Sequence, residues 1–155
     1  MQEDIGQVLT GFVMSRSNEE REMNEGKIRT LKDSSPRDFL FAMVEQLNND
    51  SLATPARHLT GILFKNTAKG GDEGPFWFTL SDDDRSKLKE GILMPLASEH
   101  EDVRRSACGC VAAVACLELP KKMWTDIVPL LCTNSYSEDL KVKNSSLITL
   151  GYICE

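Results

Sequence analysis

Apolar residues recur three and four positions apart along nearly the whole chain, and nowhere do they alternate with period two for long enough to make a strand. That pattern restricts the chain to helices, each burying one face. Ile5, Val8, Leu9, Phe12 and Val13 form the first stripe. Phe39, Leu40, Met43, Val44 and Leu47 form another, ended by Asn48, Asn49 and Asp50. Further stripes run through Leu59, Ile62 and Leu63, and through Leu88, Ile92, Leu93 and Leu96. Val103, Ala107, Cys110, Val111 and Val114 make the next, then Trp124, Ile127, Val128 and Leu131, and last Leu147, Leu150, Gly151 and Cys154. The segment 18–32 has the thinnest face, with Met23, Ile28 and Leu31.

Helix starts are legible in the punctuation. Ser17 with Glu20, Ser81 with Asp84 and Ser98 with Glu101 have the spacing in which a hydroxyl takes an orphan amide and the acid answers it. Ser35-Pro36 and Ser137 mark two more starts, and Pro55 is tolerated in a first turn. Lys69-Gly70-Gly71-Asp72-Glu73-Gly74-Pro75 is a loop, leading to the dense cluster Phe76-Trp77-Phe78, which is expected to be a satellite core under that loop.

Helices starting near 3, 36, 82 and 121 alternate with helices starting near 18, 52, 100 and 138. Four hairpins at roughly 33–48 residues fall in the range of helical solenoids. Two internal echoes support repetition. Glu101-Asp102-Val103 with Glu118 recurs as Glu138-Asp139-Leu140 with Glu155, and Met94-Pro95-Leu96 recurs as Val128-Pro129-Leu130. Each of those prolines is expected late in the first helix of its hairpin, bending it.

Composition narrows the chemistry. With 155 residues and a formal charge of −6, the chain lacks the basic face a nucleic-acid binder needs. No apolar run is long enough for a membrane span, and Met1, Gln2, Glu3 and Asp4 do not begin a secretory signal. The five cysteines, Cys108, Cys110, Cys116, Cys132 and Cys154, are odd in number and hold no CxxC pair, so they read as small buried hydrophobes and neither a disulfide framework nor a metal set. Catalysis needs a nucleophile within hydrogen-bond reach of a base. His100 and Cys110 sit ten residues apart on one helix, about 15 Å, so no constellation assembles. His58 reads as a helix-face residue, and Asp82, Asp83 and Asp84 as acids answering a helix dipole. No enzyme, cofactor or metal site is expected.

Several stretches carry a resemblance. Ala56-Arg57-His58-Leu59-Thr60-Gly61-Ile62-Leu63-Phe64-Lys65-Asn66 resembles the Arg…Leu-Lys-Asn helix in the amino-terminal domain of the importin-β (karyopherin-β) family. Phe76-Trp77 sits where that domain places a tryptophan before its next helix. The stretch from Val111 to Pro120 followed by Trp124 is similar to the family's third-to-fourth repeat junction, and the stretch from Ser145 to Cys154 to the end of its fourth repeat. Asn24 and Lys27 depart from it, standing where the family usually has apolar residues.

The resemblance implies an all-α HEAT-repeat solenoid, a right-handed superhelix of about four hairpins. Its repeats would lie at about 1–33, 34–70, 80–118 and 119–155, with a loop at 69–80, and the chain would be an amino-terminal fragment of a longer receptor. First helices would line the convex face and second helices the concave one. It also implies nuclear transport, in which the GTPase Ran in its GTP form binds the amino-terminal repeats and controls release of imported cargo. Importin-α or cargo and nucleoporins would bind through the full-length receptor, which shuttles between cytoplasm and nucleus. On the second helices, side chains off the apolar stripe point into the concavity. Lys65, Asn66, Lys69, Arg105, Lys143 and Asn144 are therefore candidate Ran contacts, with Lys65-Asn66 matching the family's Lys-Asn pair. Arg57 also matches, with pairing inside the stack as its alternative role. A generic helical-repeat scaffold resembling a phosphatase scaffold subunit predicts the same fold with a different folded partner.

Overall fold

Short polar side chains start most of the helices. In the computed structural model, which describes residues 4–155, Asp4 accepts from the Gly6 amide to open α1 (Ile5–Val13) and Ser17 accepts from Glu20 to open α2 (Asn18–Ser34). Ser35, followed by Pro36, opens α3 (Pro36–Leu47) by accepting from Asp38. Pro55 lies in the first turn of α4 (Thr54–Lys69), and Ser81 opens α5 (Asp82–Leu93) by accepting from Asp84. The helices α6 (Glu101–Glu118), α7 (Ile127–Asn134) and α8 (Leu140–Cys154) complete the chain. Among the described residues there is no β-strand. The expected start of the first helix near residue 3, and the reading of Met1, Gln2 and Glu3 as no secretory signal, lie outside the described residues.

Three cap details differ from the expected ones. Glu20 answers the Arg16 amide, one residue before Ser17, so the two capping bonds are staggered. Ser98 accepts from His100, which itself occupies the cap of α6 without a side-chain bond. Ser137 accepts from Asp139, and it is Asp139 that caps α8 by accepting from Lys141. In both later cases the serine forms a local turn two residues ahead of the capping residue.

The helices pair as hairpins and stack in a row. α4, α6 and α8 pack side by side, α3 lies against α4 and α5, and α7 against α8. The first hairpin is crossed: α1 packs on α4, while α2 packs on α1 and α3. Composition explains the exchange. α1 carries Val8 and Leu9 into the core, whereas α2 buries only Asn24 and Ile28. Asn24 fits because residue 11 is glycine: a Cβ there would stand 3.1–3.3 Å from the Asn24 amide group. Met23, expected inward, is exposed.

Between α3 and α5 the approach is closer still. A Cβ at Gly91 would meet Val44 Cγ1 at 2.3 Å, and the Asn48 side-chain amide donates to both the Val44 and Gly91 carbonyls at 3.0 Å. The loop after α4 turns at Gly70 (φ 74°), a left-handed backbone that glycine adopts without strain. It delivers the 3₁₀ turn Phe76–Thr79, whose Trp77 is fully buried and edge-on to Phe64 in the main core, and among the described residues it forms no separate satellite cluster.

Two further expectations fail. The first helix of the last hairpin begins at Ile127, six residues after the predicted start, because Lys122 (φ 59°) and Trp124 (φ 54°) take left-handed backbone conformations that no helix continues. The proline echo also dissolves. Pro95 sits in the 3₁₀ turn Met94–Ala97 that follows α5, whereas Pro129 sits in the first turn of α7, where its missing N–H had no partner to lose.

Candidate partner-binding surface

The face of the α4–α6–α8 stack is shaped by which residues each second helix must bury. α4 is covered by α1 and α3 on one side and by α6 on the other, so its buried set is Ala56, Arg57, Thr60, Gly61, Phe64, Thr67 and Ala68. The predicted stripe turns outward instead: Leu59 and Leu63 are half-buried and Ile62 is exposed. The threonines enter the core because their hydroxyls bond back to carbonyls four residues earlier, Ala56 for Thr60 and Leu63 for Thr67. Arg57 is buried too. Its Nε and Nη2 donate to the Leu47 carbonyl at 3.0 and 2.8 Å and its Nη1 lies 3.6 Å from Asp50, so it pairs within the stack.

α8 repeats the lesson. Ser145, Ser146 and Thr149 are buried, while Leu147, Gly151 and Cys154, predicted inward, are exposed and Leu150 is half-buried. Ser145 donates from Oγ to the Leu96 carbonyl at 2.7 Å and receives the Cys108 thiol at its own carbonyl at 3.3 Å. Cys110 donates to the Gly61 carbonyl at 3.4 Å. Two thiols thus tie α6 to both neighbours. Burial pushes both up from the ordinary thiol range, Cys110 to about 12, which keeps them protonated and unreactive. Cys116, Cys132 and Cys154 are exposed free thiols, contrary to their reading as core residues.

Two shallow grooves run along this face. The first, about 470 Å³, lies over α4 and α6 and reaches Tyr152 of α8. Its lining includes His58, Gly61, Ile62, Lys65, Arg105, Ser106, Gly109, Ala112, Ala113 and Cys116. The second, about 360 Å³, lies between α6 and α8 and is lined by Glu101, Arg104, Arg105, Asn144, Ser145, Leu147 and Ile148. Arg105 borders both.

The six candidate contact residues therefore separate. Lys65 and Arg105 share the first groove, and Arg105 and Asn144 share the second. Asn66, Lys69 and Lys143 are exposed on the same helices but line neither groove. Their neighbours divide as well. Arg105 pairs with Glu101 at 3.1 Å, and Arg104 donates to the Ser98 carbonyl at 2.7 Å. Lys141 bonds Glu99 at 2.9 Å, which holds the Glu99 carboxyl below its ordinary range and the lysine above its own. None of the ion pairs among the described residues involves Lys65.

Sequence reasoning missed His58, whose Nδ1 lies 2.7 Å from Ser106 Oγ. Ser106 Oγ also lies 3.1 Å from the Asp102 carbonyl, so this hydroxyl joins His58 of α4 to the backbone of α6. It also missed Tyr152 and two glycines: Gly61, where a Cβ would press on Ser106 of α6, and Gly109, where it would press on the Lys65 side chain. Among the described residues no three histidine, cysteine, aspartate or glutamate side chains gather as a metal set, and no helix is long and apolar enough to cross a membrane.

No family model matches the chain. Curated relatives do. Importin subunit beta-1 of Arabidopsis thaliana is 28% identical over 87% of this chain and 16% of its own length. Importin subunit beta-1 of Schizosaccharomyces pombe is 28% identical over 99% of this chain and 18% of its own. A solved structure of Kap95p with RanGDP superposes at a TM-score of 0.87, with 24% identity, over 97% of this chain and 19% of that one. In sequence and in fold, the chain is importin-β-like. It is an all-α HEAT-repeat solenoid, as the resemblance implied. A Kap95:Nup1 complex superposes equally well, at 0.87 with 24% identity over 97% of this chain and 18% of that one. The chain spans less than a fifth of the length of these importin subunit beta-1 relatives.

Proposed function

We propose that this chain is the amino-terminal part of an importin-β-type nuclear transport receptor, and that its α4–α6–α8 face binds the GTPase Ran in preference for the GTP form. Binding there controls release of imported cargo. Lys65 is the centre of the contact, with Asn66, Lys69, Arg105, Lys143 and Asn144 around it. The observation that carries the reading is Lys65 itself. It coincides with the Lys-Asn pair of the resemblance, lies in the larger groove, and makes no ion pair with any described residue. A positive charge left unpaired in a chain of net charge −6 gives a partner orientation and on-rate.

The likeness to importin subunit beta-1 over nearly the whole chain supports the receptor role, and Kap95p solved with RanGDP and with Nup1 supports Ran and nucleoporins as partner classes. Shuttling between cytoplasm and nucleus follows from that role, as does engagement of importin-α or cargo by the full-length receptor. The four hairpins are its repeats. Because Kap95p is found with RanGDP, preference is the expected behaviour and not exclusion. Affinities for Ran loaded with a non-hydrolysable GTP analogue and with GDP test this directly. The GTP form should bind at least about tenfold more tightly, a difference of about 1.4 kcal/mol. Equal affinities, or none, would remove the transport reading and leave a generic helical-repeat scaffold.

A further inference from the structure

We propose that the groove between α4 and α6 receives one acidic side chain, with an apolar neighbour, from the partner, and that Gly109 is the positioning residue that aims Lys65 into it. The inference rests on the transport reading only for the partner's identity.

The Lys65 side chain lies across α6 at the one place where that helix presents bare backbone. The three atoms nearest to a Cβ built at Gly109 all belong to Lys65: Nζ at 3.2 Å, Cδ at 3.6 Å and Cε at 3.7 Å. A glycine inside a helix is destabilising relative to alanine, so its presence in the middle of α6 calls for a cause. Packing of the fold supplies that cause elsewhere. A Cβ at Gly61 would stand 3.0 Å from buried Ser106 Cβ, and one at Gly91 would stand 2.3 Å from Val44 Cγ1 where α3 and α5 meet. At Gly109 the neighbour is the far end of a flexible side chain, which could swing away without disturbing any helix. What the glycine preserves is the path of Lys65.

That path ends in a groove lined by basic side chains. Lys65, His58 and Arg105 all line the groove, and no carboxylate does. Gly61, Ala112 and Ala113 make a small-residue floor, and Ile62 and Tyr152 are exposed at its apolar edge. An ammonium without an ionic partner, in a lining that holds no carboxylate and a chain that is acidic as a whole, selects a negative group. The apolar floor and edge favour an aliphatic or aromatic residue beside it. Arg105 is already paired with Glu101, so an incoming carboxylate meets Lys65 first.

The test uses a short peptide of alternating glutamate and leucine, titrated into the ¹⁵N-labelled chain at low salt while amide shifts are followed. Saturable shifts are expected in α4 and α6 around His58, Lys65 and Gly109, and none with the peptide whose glutamates are lysines. Lys65→Met should weaken binding about tenfold. Gly109→Ala should weaken it about threefold while leaving the unfolding midpoint unchanged or higher, an outcome a purely structural glycine would not give. Acidic and basic peptides bound alike, no binding of the acidic peptide, or both variants binding like the wild type would overturn the proposal. Ran with a GTP analogue, titrated into the same variants, separates the two readings. Peptide binding that follows the variants without any Ran binding sinks the transport reading alone. Ran bound equally by all variants, with its GTP preference intact, sinks this proposal and the placing of Lys65 at the centre of the contact, and leaves the receptor role standing.

Discussion

Glu118 and Lys65 both set a charge against α6, and the chain treats them in opposite ways. Glu118 is fully buried at the end of α6 and every part of its carboxylate is engaged. Trp77 Nε1 donates to it at 3.1 Å, Lys89 Nζ at 3.0 Å, and Arg85 Nε lies 4.0 Å away. Lys89 also stands 5.3 Å over the Trp124 ring, so one carboxylate gathers the loop after α4, α5, α6 and the approach to α7. Lys65, two turns from the other end of α6, has no ionic partner among the described residues and faces a groove. A charge that is buried and satisfied defines the fold. A half-buried charge left without an ionic partner beside a glycine does nothing for the fold and is available to something else.

That contrast is easiest to break at its strong end. Replacing Glu118 with alanine leaves the Trp77 N–H and the Lys89 ammonium without their acceptor, and should lower stability by about 3 kcal/mol in urea denaturation. Glu118→Gln keeps an acceptor for Trp77 and should lose about 1–2 kcal/mol. Lys65→Met should stay within about 0.5 kcal/mol of wild type. A Lys65 variant as destabilised as the Glu118 variant would collapse the distinction.

The glycines sharpen the same comparison at a smaller scale. Gly91→Ala drives a methyl into Val44 and should cost about 1–3 kcal/mol, partly restored by Val44→Ala. Gly109→Ala should cost nothing. Thermal unfolding of these three variants beside the wild type checks both statements.

Much of this was legible beforehand. The starts at Ser17, Ser35 and Ser81, the stripe through Val103, Ala107, Cys110, Val111 and Val114, and the hairpin order all follow from local rules, and the structure agrees. What failed was the inward face of α4 and α8. A helix covered on two sides buries small and hydroxyl-bearing residues, because threonine and serine satisfy themselves on the preceding turn and allow neighbours close. Ile62 and Leu147 then become surface, and a period of apolar residues points the wrong way. The left-handed residues at Lys122 and Trp124 leave no trace in a hydrophobic pattern either. In the candidate site, Lys65 and Arg105 were within reach of charge arguments. His58, Tyr152 and Gly109 were not, since their roles exist only once α4, α6 and α8 are side by side.

Thiol chemistry reads the two environments without disturbing either. A maleimide at neutral pH should label Cys116, Cys132 and Cys154 quickly, and Cys108 and Cys110 only after unfolding, since burial holds the last two protonated. Cys116 lines the groove with Lys65, so a bound partner should slow its labelling several-fold and leave Cys132 unchanged. Mass spectrometry of digested samples distinguishes the sites.

The smallest effect concerns a pair between exposed Arg37 and half-buried Asp84 that joins α3 to α5. Arg37 donates to both oxygens of Asp84, at 2.7 and 2.9 Å, and holds its carboxyl below the ordinary range. A carboxyl lowered on folding adds stability above its unfolded value, about 3.9, and loses it as pH falls through the lower folded value. Acid titration of stability should therefore be shallower below about pH 4 in Arg37→Met than in wild type. Identical acid limbs would show that the pair contributes nothing.

The central claim is that the α4–α6–α8 face reserves Lys65 for a partner. Calorimetric titration of Ran carrying a GTP analogue into the wild-type chain and into Lys65→Glu, with unfolding midpoints measured on the same samples, tests it most directly. Affinity reduced at least about tenfold at an unchanged midpoint is the predicted result. Unchanged affinity, or a loss of binding that tracks a loss of stability, would contradict it.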